Sequence, residues 1–431
     1  MLKVITALIA MLFCSMENAN ASPEQQSLLG SSLTPFGATR AGNDGRIPEW
    51  VGGTAFIENQ QPLFVITAEN YTQYEVNLTA GQVALFKHYS ETFKMPVYPS
   101  QRTFTAPEWV NKNTYKNTLT TKLNIDKSGF VDALPGIPFP VPASALEVYF
   151  NHIARWRGKQ LTNTASDAVV HKNGKHALIT RKSIVRFDFY NENISSNNFA
   201  SLIARVTAPA SKAGGGVLVL DPLDQLNNAR SAWLWDKGRR RAIRAPNLSY
   251  DTPVTIADSL RTADDTDLIN GSPDRFDWQL LEKREIYIPY NNTQLSSKDI
   301  GYKNLLSKHH INPEHTRYEL HRVWVISASL KKEWRHVYSQ RDFYLDEDSW
   351  QVVIADQYNK QGEIWRVSLS FPKFFPDMPG IFPVINVFHD LHSQKYSVMG
   401  LQNERRTKNE FNGKPVKDSL FTPSGLKRFL N

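Results

Sequence analysis

The 431 residues contain one cysteine, Cys14, and it falls in a stretch read below as a leader. No disulfide framework can hold the rest of the chain, so stability must come from a large apolar core, which this length permits. Thiol nucleophiles and cysteine-built metal sites are excluded with it. Long apolar runs are missing too. "VITALIAMLF", residues 4–13, is too short to span a bilayer, and nothing later is longer and as apolar. The sequence has no G-x-S-x-G elbow and no H-E-x-x-H pair. "GGG" at 214–216 lacks the Lys-Ser/Thr of a phosphate loop, and "AGNDG" lacks the alternating oxygen ligands and closing Glu of a calcium loop. Neither a metal nor a cofactor is expected.

What is present first is an export signal. Lys3, the short apolar run and the small residues "ANA" at 19–21 have the order of a signal peptide spanning 1–21, cut before Ser22. Bulky Met11, Leu12 and Phe13 before Cys14 argue against lipidation. The expected location is the periplasm, as a soluble chain without a transmembrane helix. The net charge is +8 and the pI about 9.2. The densest basic run, "KGRRRAIR", supplies Lys237, Arg239, Arg240, Arg241 and Arg244. In an exported protein it is read as a solvated hairpin, an anionic-headgroup site or a docking patch, with no nucleic acid as partner.

Aromatic residues make up 11% of the chain, and many alternate with polar ones, which favours sheet over helix. Residues 318–371 read as a four-stranded antiparallel meander with turns "KKEW", "DEDS" and "NKQG". Trp324, Trp350 and Trp365 fall on its apolar side, while Arg366, Ser368, Ser370, Gln351 and Gln357 fall on the other, an apolar-in, polar-out pattern. A second block, 176–246, places Phe187 and Phe189 on one strand side and Trp233 and Trp235 on another. Residues between the blocks read as mixed and turn-rich. Helices are expected over 79–93 and 144–158, from a Thr or Ser cap and apolar spacing. With no linker in view, 22–431 reads as one domain with an exposed C-terminal tail. Its fold class is mainly β (α+β), a large curved antiparallel sheet or incomplete barrel with helices on an apolar concave face.

Two clusters invite chemistry. Asp346, Glu347 and Asp348 stand where a hairpin needs a turn, so they read as turn residues whose neutralisation is tolerated. "TPFGATRAGNDGRIPEW", residues 34–50, mixes turn residues with Phe36, Ile47 and Trp50, which suits either an ion loop or a clasp on a larger body. The aromatic face suggests a cavity for an acyl-chain lipid or a similar hydrophobic ligand, lined by Phe187, Phe189, Trp233, Trp235, Trp324, Trp350 and Trp365. The alternative is that the same face is an ordinary filled core, making the protein an adaptor. A third reading, an enzyme using the three acids on glycan or lipid, is kept open.

Several segments taken together resemble the bacterial domain of unknown function 1329 family: "LTPFGATRAGNDGRIPEWVGG", "PGIPFPVP", "NGSPDRFDWQLLEKREIYIPYN", "INPEHTRYELHRVWVISASLK" and "RDFYLDEDSWQVVIADQYNKQGEIWR". "LIARVTAPASKAGGGVLVLDP" with "SAWLWDKGRRRAIRAP" resembles the Lol-type lipoprotein-sorting carriers. These resemblances imply an incomplete β-barrel whose helices plug a lipid-binding cavity, and a clasp rather than an ion loop at the start. They imply as partners a resistance-nodulation-division type exporter and an outer-membrane protein, and supply no catalytic residue.

Overall fold

The structure is a computed structural model; it describes residues 21–53, 55–58, 60–191, 198–245 and 250–430. The expected leader therefore lies outside the described residues except for Ala21. Ser22 caps the first helical turn, α1 (Pro23–Ser27). Further helices are α2 (Ala80–His88), α3 (Glu108–Thr120), α4 (Ala145–Ala154), α5 (Tyr302–Leu305) and α6 (Pro423–Leu430). Strands follow in chain order. They are β1 (Phe64–Ile66), β2 (Met95–Tyr98), β3 (Lys122–Leu123), β4 (Phe130–Val131), β5 (Gln160–Val170), β6 (His176–Arg186), β7 (Asn198–Ala208), β8 (Gly216–Pro222) and β9 (Ser231–Asp236). The remainder are β10 (Arg241–Arg244), β11 (Phe276–Pro289), β12 (Tyr318–Leu330), β13 (Gln340–Asp346), β14 (Val352–Tyr358), β15 (Ile364–Phe375), β16 (Gly380–Asp390), β17 (Lys395–Leu401) and β18 (Glu410–Phe411).

All but the β3–β4 ribbon join one open sheet of 16 strands, in the order β1-β2-β12-β13-β14-β15-β16-β17-β5-β6-β7-β8-β9-β10, with β11 on β12 and β18 on β5. Both sequence blocks meet in this sheet through β17 and β5, where Val398 lies opposite Ala168. The pairing is antiparallel except where β2 runs parallel to β12. The meander over 318–371 forms as β12–β15. α2 and α4 start at Thr79 and Ser144, whose hydroxyls accept from the amides of Gln82 and Glu147.

Four expectations need correction. The side of the meander carrying Arg366, Ser368, Ser370, Gln351 and Gln357 is buried, not solvated. It lies under the turn-rich stretch before β11. Arg341 donates to Asp264 and Asp265 at 2.9 Å each, and Arg366 donates to the Ser259 carbonyl and to Asp390. Period-2 alternation marks which side is polar, but a charged strap with matching carboxylates can bury that side as well. Second, the chain beyond 372 is not simply an exposed tail. It builds β16 and β17 inside the sheet, and α6 closes over Ile184, Ile203 and Leu218 of β6–β8. Third, Phe187 and Phe189 do not share a strand side, because β6 ends at Arg186 and both belong to the turn after it. Fourth, the turn-rich stretch conceals β11, the 14-residue partner of β12, whose central charges "EKRE" mask its strand character.

The opening segment is a clasp. Phe36 is buried between Trp50 and Phe104, at 5.3 and 4.7 Å between ring centroids, and the Trp50 indole donates to the Phe104 carbonyl. Gly37 has φ +97°, and a Cβ there would sit on the Pro140 carbonyl oxygen. Gly37→Ala is therefore expected to lower the urea midpoint by an amount worth about 2 kcal/mol or more, through both strain and collision. Chemical denaturation of the two proteins side by side measures it.

Candidate functional site

Asp346 ends β13 and Glu347 and Asp348 lie in the turn after it, and all three are buried: Asp346 is 0%, Glu347 2% and Asp348 1% exposed. Arg102 reaches them from the segment after β2. Its guanidinium is bidentate to Asp348, Nη2 at 2.6 Å and Nε at 2.9 Å. The same group donates to the carbonyls of Thr39 and Arg40 in the clasp. Glu347 accepts from the Thr39 amide and from Lys283 at 3.0 Å. His321 stands between Glu319 and Asp346, 3.3 Å from each. The two carboxylates outweigh burial and hold its pKa up at about 9, so it is an imidazolium at neutral pH. Burial would raise Glu319, yet His321 and Arg317 keep it below the usual carboxylate range.

Ligating atoms of His321, Asp346 and Asp348 lie within 4.8 Å of one another. As the side chains stand, Arg102 already takes both oxygens of Asp348 and His321 lies between two carboxylates. The cluster is a buried ion-pair network between clasp and sheet. The reading of these acids as solvated turn residues does not hold, because Asp348 and Asp346 are buried against Arg102 and His321.

The predicted aromatic residues do not converge on one cavity. Trp350 is fully buried; its indole donates to the Phe36 carbonyl at 2.9 Å, and it stacks on half-buried Trp324 at 6.2 Å. Trp365 packs on Tyr338 and His392. Trp233 and Trp235 lie against α6. Phe187 and Phe189 come nearest to an open space. Arg157 lies 4.5 Å above the Phe187 ring, and Phe189 stacks on Phe199. Both Arg157 and Phe199 line a small pocket between α4, β7, β8 and residues 267–271, with free room of about 30 Å³. A second, of about 10 Å³, lies near His310 and His389. Neither is lined by a tryptophan.

Sequence reasoning missed the feature that adjoins the larger pocket. α6 covers only one face of β6–β9. On the other face the pairs Leu202–Val219 and Ala204–Val217 continue into Ala232, Leu234 and Ile243. Leu202, Val217, Val219 and Ile243 are half-buried and Leu234 is 47% exposed. None of these five joins a buried hydrophobic cluster of the described residues. The result is an apolar trough on the sheet. Its signal was in the sequence: "LIARV" and "GVLVL" are apolar at both parities, so both faces of those strands needed a cover. The basic hairpin lies at the trough's other end. Lys237, Arg239, Arg240, Arg241 and Arg244 are all exposed, with Asp236 beside Arg239.

This is an open, mainly β protein of incomplete-barrel form, with helices and straps packed on the sheet. The chain belongs to the family described as protein of unknown function (DUF1329), whose profile matches residues 65–427. A relative in Pseudomonas aeruginosa, itself described as uncharacterised, is 42% identical over 429 residues, covering 95% of this chain and 94% of the relative. Among solved structures, a domain from Vibrio parahaemolyticus described as an outer membrane lipoprotein-sorting protein is 12% identical (TM-score 0.44, 66% of this chain and 98% of that one). A DUF1329 family protein from Desulfovibrio piger is 13% identical (TM-score 0.42, 62% and 92%). A LolA superfamily protein from Nitrosomonas europaea is 13% identical (TM-score 0.40, 66% and 100%).

The ion network sets a pH dependence. His321 holds its proton more tightly folded than unfolded, where its pKa is about 6.5. Its stabilisation is complete below about pH 6.5 and fades as pH rises through about 9. Urea midpoints should fall across that window, and His321→Gln should flatten the fall. Asp348→Asn, which strands the Arg102 guanidinium, should cost about 3 kcal/mol at neutral pH.

Proposed function

We propose that this protein is a periplasmic carrier that holds a hydrophobic chain in the trough of β6–β10. The carrying observation is the half-exposed apolar face of Leu202, Val217, Val219, Leu234 and Ile243 among the described residues. An apolar sheet face left half-exposed among the described residues offers a surface for binding. Each methylene buried there would contribute about 0.8 kcal/mol. Among the described residues no helix is long and apolar enough to cross a membrane, and the expected leader supports an exported chain. The exposed basic hairpin suits contact with an anionic membrane surface or an acidic patch on an exporter. This reading assigns no catalysis to the three acids, each of which faces a cation of the protein.

A filled-core adaptor is the second reading. It is favoured by the packing around Trp324, Trp350 and the clasp, where the sheet is closed by the chain's own side chains.

Delipidated protein titrated with a fluorescent fatty acid should saturate at one or two sites. Leu202→Asp with Val219→Asp should weaken binding at least about tenfold, by placing charge against the chain, with a native circular dichroism spectrum. Absence of probe binding, together with absence of co-purified lipid, would leave the adaptor as the better account.

For the hairpin, Arg239→Ser, Arg240→Ser and Arg241→Ser together should leave the melting temperature within a few degrees. Sedimentation with phosphatidylglycerol vesicles should drop, and the wild-type association should weaken with added salt. Equal sedimentation of both proteins would reduce the hairpin to a solvated turn.

A further inference from the structure

Asp342 of β13 and Asp356 of β14 stand directly opposite each other in the sheet register, and they are 8% and 0% exposed. Asp342 accepts from the hydroxyls of Ser327 and Tyr358 and from the Gln340 side-chain amide. Asp356 accepts from the Gly81 amide at 2.9 Å and from the Thr79 hydroxyl at 3.3 Å, both at the start of α2. Among the described residues neither carboxyl is bonded to a cation, unlike Asp264, Asp265 and Asp348, each of which meets an arginine. Directly paired residues of antiparallel strands have Cβ atoms about 4.5–5.5 Å apart. Two negative charges at that range, out of water and without a counter-ion, are costly to hold together. Burial, opposed by the Gly81 amide and reinforced by Asp342, lifts the pKa of Asp356 to about 7. Burial and the same two carboxyls push the Tyr344 and Tyr358 hydroxyls upward as well.

α2 meets the sheet through this carboxyl. A Cβ on Gly81 would collide with Asp356 Oδ1 and with Val367 of β15, so the glycine lets the helix start lie against the strands. The rest of the seat is apolar or neutral: Leu85 and Phe86 are buried, Phe86 stacks on Tyr71, and the Gln82 side chain donates to the Tyr287 carbonyl of β11. Nothing around the pair supplies the missing positive charge. Arg284 of β11 is paired with Glu282, residues 71–77 bring only exposed Glu75, and β15 sets Val367 opposite Asp356. Lys87 and His88 lie in the last turn of α2, at the other end from Gly81. At that end Tyr89 stacks on His309, and His310 bonds to Thr92. Burial lowers the pKa of both histidines, that of His310 to about 4.

We propose that α2 is a proton-controlled cover of β14 and β15, seated while the Asp342–Asp356 pair holds one proton and released as that proton leaves. The seated helix keeps Asp356 dry and beside Asp342. Lifting the helix gives Asp356 water, and its pKa returns to the ordinary value of about 3.9. The seated form therefore binds the proton more tightly than the open form. Its advantage is complete below about pH 4 and is lost as pH rises to about 7, by up to tenfold in the opening equilibrium per pH unit. Above that window both forms are ionised and the opening equilibrium is level.

Hydrogen exchange followed by mass spectrometry or NMR tests this on wild-type protein. After correction for intrinsic exchange, protection of the α2 amides should fall at least about tenfold from pH 5 to pH 7, while the β16 amides change less than about threefold. Asp356→Asn keeps an oxygen for the Gly81 amide without a charge, and α2 should then be protected equally at both pH values. His88→Gln with His309→Gln should leave the wild-type fall in place. A pH-independent α2 in wild type, a fall shared in full by β16, a fall that survives Asp356→Asn, or one abolished by the histidine changes overturns the proposal. Should Asp356→Asn fail to fold, Asp342→Asn removes the facing charge and should move the fall to lower pH; an unmoved fall overturns the proposal equally.

Discussion

Arg102 is where the two ends of the architecture are joined. Its planar guanidinium is 2% exposed and meets a carboxylate from the β13–β14 turn on one side and backbone carbonyls of the clasp on the other. A buried charge tolerates no loose geometry, because each unmet donor costs as much as a lost hydrogen bond or more. The clasp therefore has one seating on the sheet. Phe36, Trp50 and Trp350 then pack in register with it, and the Trp350 indole bonds back to Phe36. Glu347, Lys283 and Arg322 extend the network outward, so that it grades from a sealed interior to solvent.

The same principle governs the far face of the meander. Arg341 and Arg366 are strand residues that would ordinarily point to water, yet Asp264, Asp265 and Asp390 allow the strap before β11 to lie on them. The sheet from β12 to β17 is consequently sheathed on both sides. From β6 to β10 the economy differs. α6 covers one face, while the other has no comparable strap among the described residues. Among the described residues the two halves thus differ: one is covered on both faces, and the other leaves Leu202, Val217, Val219, Leu234 and Ile243 half-exposed or exposed.

Legibility followed the range of the interactions. The caps at Thr79 and Ser144, the meander and the "KGRRRAIR" hairpin are local, set by a few neighbouring residues, and they stand where the pattern put them. The candidate site fared less well. Trp324 and Trp365 lie on their strands but Trp350 sits in the turn before β14 with φ +60°, and each of the three packs on the chain's own side chains. The doubly apolar strands "LIARV" and "GVLVL" did carry a warning that one cover was needed on each face. Which face stays open depends on where a helix more than 200 residues later comes to rest.

By itself, then, the sequence determined the absence of disulfides, the mainly β character, the single open sheet and the membership in its family, because composition, period-2 alternation, turn chemistry and family motifs are all written in neighbouring residues. Only the tertiary structure decided the partners of Asp346, Glu347 and Asp348, the burial of the polar face, and the pairing of Arg155 and Arg157 with Asp267. Many of those contacts join partners far apart in the chain, such as Arg102 with Asp348 at a separation of 246. Charge matching at that distance has no periodic signature. It exists only once the chain has folded back and low-dielectric surroundings have made every unpaired charge expensive.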